Sequence, residues 1–444
     1  MRLQSSPKWV RFTPFLLGAS LLLGSHQAWS TVNIQAWQAD NGAKVMFVHA
    51  PQLPMLDIKV AFDAGSARDG EQWGVASMMT TLLGLKTTQN SEAELADKMN
   101  ALGASMGGGV NRDMASFTLR SLTRPSILKP ALTLFSETLS QSVFEQSIFD
   151  RERKRLLVGL KQQALSPSSM ASKAFWKGLY GQHPYGHPVA GSIETVEALT
   201  LQEITAFYQT YIVSQNATIA IVGNVDRQQA EAIAEQLLEG LPIGSSPEPI
   251  AAPAPVQSTG KSTEIIQFDS SQTYFKMGQI GVERGNPDYY ALFLGNHLLG
   301  GSGFASLLMK EVREARGLVY GVSSGFAPMR QAGPWIVGLS TKNKTAKEAE
   351  KVVNETLAAF MKDFDNAHFQ DIKDNLIGGF PLRIDSNAKI IGYISMIGFY
   401  GLPLDYLEAF PKAIEKLTKA EVLAAWQRHI HPESMYSVMV GMPE

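Results

Sequence analysis

Arg313 and Tyr320 stand seven residues apart in the stretch Arg313-Glu314-Ala315-Arg316-Gly317-Leu318-Val319-Tyr320. A guanidinium and a phenol are both hydrogen-bond donors, and two donors aimed at one point can stabilise a developing oxyanion. Arg313 falls in a helix predicted over 307–315, Gly317 turns the chain, and Tyr320 begins the next strand. A helix end and a strand start of this kind can present both side chains to one cavity. Ordinary structural uses stand beside that reading. An Arg near a helix C-terminus balances the dipole, a strand Tyr is often core, and Arg316, four residues from Tyr320, competes for the role.

Other chemistry-bearing patterns are thin. The eight histidines are His26, His49, His183, His187, His297, His368, His429 and His431. No H-x-x-E-H or H-x-x-x-H pattern sits on a convincing helix, where two imidazoles at i and i+4 would share one face and one ion. His183 and His187 lie among Pro184 and Pro188, in a loop, and read as structural hydrogen-bonding groups. His429 and His431 close a helix before Pro432 and read as dipole compensation. His297 reads as a packed polar side chain. Cysteine is absent, which excludes disulfides, thiolate ligands and a cysteine nucleophile. No serine-hydrolase elbow and no phosphate loop occurs.

The elements that would carry these residues follow from periodicity. Leu56, Ile58, Val60 and Phe62 alternate with polar or small residues, as do Ala115, Phe117 and Leu119; both read as half-buried strands. Residues 75–85 and 93–102 read as helices. Val352, Val353, Leu357, Phe360 and Met361 recur at helical spacing, and strands are predicted over 319–323 and 335–339. Residues 240–263 carry Pro242, Pro247, Pro249, Pro253 and Pro255 among Ala, Ser and Gly, and read as a linker. The halves it separates look duplicated. Leu199-Thr200-Leu201-Gln202-Glu203-Ile204 resembles Leu417-Thr418-Lys419-Ala420-Glu421-Val422, and the match runs without a gap to Gly223 and Gly441. Thr200 and Thr418 are the expected N-caps. The fold class expected is α+β, with two homologous domains of helices packed on largely antiparallel sheets.

At 444 residues, 45% hydrophobic and 18% charged, the chain is of ordinary globular composition and long enough for two domains. A net charge of −2 leaves no basic footprint for nucleic acid. Arg2, Lys8 and Arg11, an apolar run over 12–24, and Ala28-Trp29-Ser30 read as an export signal. The expected organisation is therefore a signal over 1–30, an N-terminal domain over 31–240, a linker over 241–263 and a C-terminal domain over 264–444. The expected address is the periplasm, with no stable membrane insertion once the signal is removed.

Several segments together resemble the insulinase/pitrilysin-type metallopeptidases, which include mitochondrial processing peptidase. They are Phe62-Asp63-Ala64-Gly65-Ser66 with Gly74-Val75-Ala76, His183-Pro184-Tyr185-Gly186, Leu298-Leu299-Gly300-Gly301-Ser302-Gly303, and Arg313 to Tyr320. They occur in family order across the chain after the signal. The resemblance implies a clam-like processing-peptidase architecture and a zinc site on the helix after Gly74. Here Ser77 and Thr81 stand where the two His would be, Thr80 replaces the catalytic Glu, and Gly159 falls near the third ligand. Neutral hydroxyls are poor zinc ligands and Thr is a poor base at neutral pH. No metal or other cofactor is therefore expected in this chain, and no peptide hydrolysis by the chain alone.

In the family an Arg/Tyr pair at the spacing of Arg313 and Tyr320 reaches toward substrate. The run containing Gly300, Gly301 and Gly303 resembles a flexible substrate-handling loop, although a simple turn between helices is equally open. Gly107-Gly108-Gly109 precedes a strand whose counterpart in relatives pairs with extended substrate, or marks a loose hairpin entry here. The resemblance implies a non-zinc subunit that completes the site of a zinc-motif-bearing sister and binds peptides or unfolded segments. The other reading is a non-catalytic peptide-binding or scaffold protein of the same fold.

Overall fold

The computed structural model describes residues 32–254 and 262–444. The expected signal over 1–30, and the linker residues 255–261, lie outside the described residues.

Two sheets organise the chain. The first holds β1 (Gln35–Gln38), β2 (Lys44–His49), β3 (Met55–Phe62), β4 (Ser105–Val110), β5 (Ala115–Leu122) and β6 (Ala217–Gly223), in the order β1-β2-β6-β3-β5-β4. The second holds β7 (Ser262–Gln267), β8 (Gln272–Ile280), β9 (Val319–Phe326), β10 (Pro334–Lys342) and β11 (Tyr436–Gly441), in the order β7-β11-β8-β10-β9. Apart from β1 the orders are the same. In each, the last strand of the half inserts beside the first two, parallel to one (β2 with β6, β7 with β11) and antiparallel to the other.

The duplication reaches single residues. Thr200 and Thr418 both cap helices through reciprocal capping boxes with Glu203 and Glu421. Gly223 and Gly441 end β6 and β11 at φ +156 and +149. A Cβ at Gly223 would come within 2.8 Å of Leu56 Cα, and one at Gly441 within 2.8 Å of Thr273 Cα. The strand ends pack backbone on backbone, which only glycine permits.

The expected helices over 75–85 and 93–102 run Val75–Leu82 and Glu92–Ala101, and the expected strands over 319–323 and 335–339 are the cores of β9 and β10. Ser262 and Thr263, read as linker, already belong to β7.

Each half lends a helix to the other's sheet. Asn387–Tyr400, from the second half, lies across β2, β3 and β6, with Gly398 packed against Met46 and Thr218 so closely that a Cβ would meet both at 2.8 Å. Pro167–Tyr180, from the first half, lies on β8 and β11, where Phe175 is fully buried with Val438 and Val440. Burying one such Phe contributes roughly 2–3 kcal/mol, so the exchange ties the halves together. Residues 241–254 hold no helix or strand, yet their carbonyls are bonded from both halves. Arg68 Nη1 donates to Glu248 O at 2.6 Å, His183 Nε2 to Ala251 O at 2.9 Å and Gln331 Nε2 to Ile250 O at 2.5 Å.

Candidate functional site: a hydroxyl-lined cavity at a bare strand edge

The Val75–Leu82 helix starts from Gly74, in the left-handed region at φ +99, where no side chain of the residue itself caps it. Asp69 supplies the cap from a neighbouring turn. Its Oδ2 accepts from Gly74 N at 2.7 Å and its Oδ1 from Ala76 N at 3.1 Å. Asp69 is 1% exposed, and burial pushes its carboxyl up to about 8 against the lowering effect of the two amides.

One face of this helix looks onto β4. A cavity of about 400 Å³ lies between them, lined by Ser77, Thr80, Thr81, Gly107, Gly108 and Gly109 among others. Two of the hydroxyls on this face are turned back on the helix. Thr80 Oγ1 donates to Ala76 O at 2.8 Å and Thr81 Oγ1 to Ser77 O at 2.9 Å. Such back-bonded hydroxyls offer little to a cation or to an attacking water. Among the described residues, no group of three or more His, Cys, Asp or Glu is placed to hold a metal ion. On the Gln146–Ala164 helix, Gly159 presents no side chain. Seven residues earlier Glu152 is buried, but it accepts from Arg151 Nε at 2.7 Å and Arg155 Nη1 at 2.9 Å.

What the cavity does offer is backbone. β4 is the last strand of its sheet, and Asn111 N donates to Met114 O at 2.9 Å to close the turn to β5. The antiparallel alternation then turns Gly109 and Gly107 toward β5, and Met106, Gly108 and Val110 toward the open edge. Three glycines strip that edge of side chains. Natural sheets usually protect such an edge with charge, proline or a bulge.

The Arg/Tyr pair sits in the second half. The expected helix over 307–315 is π-helical over Met309–Glu314, with one extra residue per turn. Arg313 stacks its guanidinium 4.6 Å from the ring centre of Phe304, itself 66% exposed. Arg316 donates through Nη1 to the Glu311 carbonyl at 2.7 Å and to its carboxylate at 2.8 Å, which leaves Arg313 as the guanidinium beside the aromatic surface. Tyr320, near the start of β9, is 84% exposed and so is not a core residue. Among the described residues no hydrogen bond joins Arg313 to Tyr320, and neither lines the cavity at β4.

The glycine run is not an open loop throughout. Gly300 and Gly301 belong to a π-helical turn, His297–Gly301, followed by a 3-10 turn over Gly303–Ala305. Gly300 is buried against β9, where a Cβ would meet Ser324 N at 2.7 Å and Leu308 Cδ1 at 2.8 Å. Gly303, at φ +60, faces open space. His429 stands in the last turn of the Lys419–His429 helix, as its dipole reading expects, and its Nε2 also lies 2.8 Å from Asp288 Oδ2, beside Arg428.

The matches to known proteins decide the family. The model described as insulinase, peptidase family M16, matches residues 44–192, and the model described as peptidase M16 inactive domain matches 198–376. The crystal structure of a peptidase M16 inactive domain from Pseudomonas fluorescens is 38% identical, covering 93% of this chain and 98% of that one, at a TM-score of 0.89. This chain belongs to the M16 peptidase family. M16 relatives elsewhere include an uncharacterized zinc protease of Mycobacterium tuberculosis, 24% identical over 90% of this chain and 91% of its own length. A non-peptidase homolog of Helicobacter pylori is 23% identical over 87% and 89%.

A group that sequence reasoning missed lies where the halves meet. Asp113, in the turn between β4 and β5, is 2% exposed. Its Oδ1 accepts from the Tyr185 phenol, and its Oδ2 from Tyr400 Oη and Arg330 N, each at 2.8 Å. Tyr185 Oη in turn accepts from Gln331 N at 3.1 Å. Burial and the Asp113 charge hold both phenols well above their ordinary range. The His183-Pro184-Tyr185-Gly186 segment is thereby explained: His183 Nδ1 accepts from Tyr185 N at 3.1 Å and sets the turn that delivers the phenol.

Proposed function

We propose that this chain is a non-catalytic member of the M16 family that binds extended peptide along the open edge of β4. The observation that supports it is the row of outward backbone groups at Met106, Gly108 and Val110, stripped of a side chain at its centre and bordering a cavity where the Thr80 and Thr81 hydroxyls are bonded back to their own helix. A strand laid on that edge gains main-chain hydrogen bonds without side-chain obstruction. Nothing in the cavity wall generates a nucleophile from water. Export to the periplasm belongs to the same proposal and rests on residues 1–30.

The test removes one outward N–H. Gly108→Pro deletes the central donor while keeping the ladder to β5; Gly108→Ala adds the same Cβ and keeps the donor. Fluorescence anisotropy with a library of unfolded-segment peptides should show binding by the wild type and by Gly108→Ala, and a loss of about tenfold in Gly108→Pro, the scale of one good hydrogen bond. Equal binding by the two variants removes the edge from the reading.

A second reading is favoured by the exposure of Tyr320 and by the half-buried Arg313 stacked on the exposed Phe304 ring. Neither is used by the core, and Phe304 holds the guanidinium at the surface. Set against a zinc-bearing sister subunit, two such donors would complete that subunit's site. Arg313→Ala and Tyr320→Phe, in a purified complex, would each lower turnover by roughly a hundred- to a thousand-fold. A complex whose turnover ignores both substitutions leaves the peptide-binding reading alone.

A further inference from the structure

A second cavity, of about 610 Å³, lies in the other half, on the inner side of the glycine run. One wall is a single face of the Asn366–Gly379 helix, carrying His368, Asp371, Ile372, Asn375, Leu376 and Gly379 at helical spacing. The other wall is His297, Gly301, Ser302 and Ala305, and Arg383 closes one end. The run is closed on itself by Ser302 N, which donates to His297 O at 3.0 Å, and is tied to the helix by His368 Nε2, which donates to Ala305 O at 2.7 Å. The walls are therefore built and do not need a ligand to form.

Two polar groups around this space are unspent. Ser302 Oγ is buried and has no hydrogen-bond partner. Among the described residues, no hydrogen bond or ion pair uses the Arg383 guanidinium, which lies 5.7 Å from the ring centre of Phe293. His297 stacks on the same Phe293 at 6.0 Å. Burial first, and then the charge of Arg383, push its imidazole down to about 4. His297 is thus a neutral ring, and Arg383 is the cation of the site. A guanidinium, an imidazole N–H and an orphaned hydroxyl are donors that suit an acceptor with negative charge. Asp371 and Asn375, on the opposite wall, suit the amides of a main chain. A volume of this size fits a ligand of a few residues.

We propose that this cavity binds a peptide carboxylate, from a C-terminus or an acidic side chain, with Arg383 as its counter-ion and Ser302 as a further donor. The site is separate from the β4 edge and does not depend on it.

Three probes test it by isothermal titration: the tripeptide Ala-Ala-Ala with a free C-terminus, the same peptide amidated, and N-acetyl-Ala-Glu-Ala-amide. The free acid should bind at least about tenfold more tightly than its amide, the scale of a charge-assisted hydrogen bond. Binding of the internal Glu peptide at the same strength makes any peptide carboxylate sufficient; its failure assigns the site to C-termini. Arg383→Gln should abolish the acid-over-amide preference, and Arg383→Lys should retain part of it. Ser302→Ala, which changes one buried atom, should weaken the acid severalfold and leave the amide unchanged. Gly108→Pro should leave all three probes unaffected, which separates this site from the β4 reading. Equal affinity for acid and amide, a preference that survives Arg383→Gln, or no saturation by any probe up to about 10 mM overturns the proposal.

Discussion

Replacement of Asp113 tests how the two halves of the chain are joined. Its carboxylate accepts three donors, from three segments remote in sequence: Tyr185, Tyr400 and the Arg330 amide. In Asp113→Asn one oxygen becomes an N–H₂ donor. The cheaper orientation keeps the oxygen toward Tyr400 and Arg330 N and turns the amide nitrogen toward Tyr185. The Tyr185 phenol already accepts from Gln331 N, so its own proton then lacks a partner. The loss is one charge-assisted bond, about 2–3 kcal/mol. Asp113→Ala abandons all three donors in a region 2% exposed at its centre, and costs about 4–5 kcal/mol. Urea denaturation at 25 °C, followed by far-UV circular dichroism and tryptophan fluorescence, measures both. A double-mutant cycle with Tyr185→Phe then isolates the pair, because removing the phenol first should take at least about 1 kcal/mol off the cost of Asp113→Asn. An Asp113→Asn variant within about 0.5 kcal/mol of wild type, or strict additivity with Tyr185→Phe, refutes the hub.

Three further outcomes follow from the same contacts. Gly300→Ala forces a Cβ into the Ser324 backbone and should destabilise by about 1–3 kcal/mol, whereas Gly303→Ala, strained only by its positive φ, should cost less; matching midpoints for the two would contradict the packing. The raised folded pKa of Asp69 means that the native state holds a proton the unfolded chain has released. Its contribution to stability is full below about pH 4 and is lost as pH rises through about 8, on the order of 1 kcal/mol per pH unit between them, and Asp69→Asn should remove that component from the pH profile, while parallel profiles would count against it. Ser77→His with Thr81→His places two imidazoles at i and i+4 beside the β4 cavity, so calorimetry should show a zinc affinity that the wild type lacks; no gain in the double variant would mean that these positions do not converge.

Local signals in the sequence were read well where the cause is local. The caps at Thr200 and Thr418 need only a hydroxyl followed by Glu at the third position. The strands around Leu56 and Phe117 need only alternation. The π-helical turns fall where the composition predicts a loop and an ordinary helix, because inserting one residue in a turn leaves no compositional mark. Arg313 and Arg316 are equivalent on paper; Glu311 and Phe304 tell them apart only in three dimensions.

From its sequence alone, this protein is an α+β chain of two similar halves, since period and capping are properties of short segments. Only the tertiary structure decided that each half borrows a helix from the other, that Asp113 gathers two phenols and an amide, and that Arg383 lines a cavity with no hydrogen-bond or ion-pair partner among the described residues. Those facts depend on groups brought together from distant parts of the chain, where burial, and not neighbouring sequence, sets what each group can do.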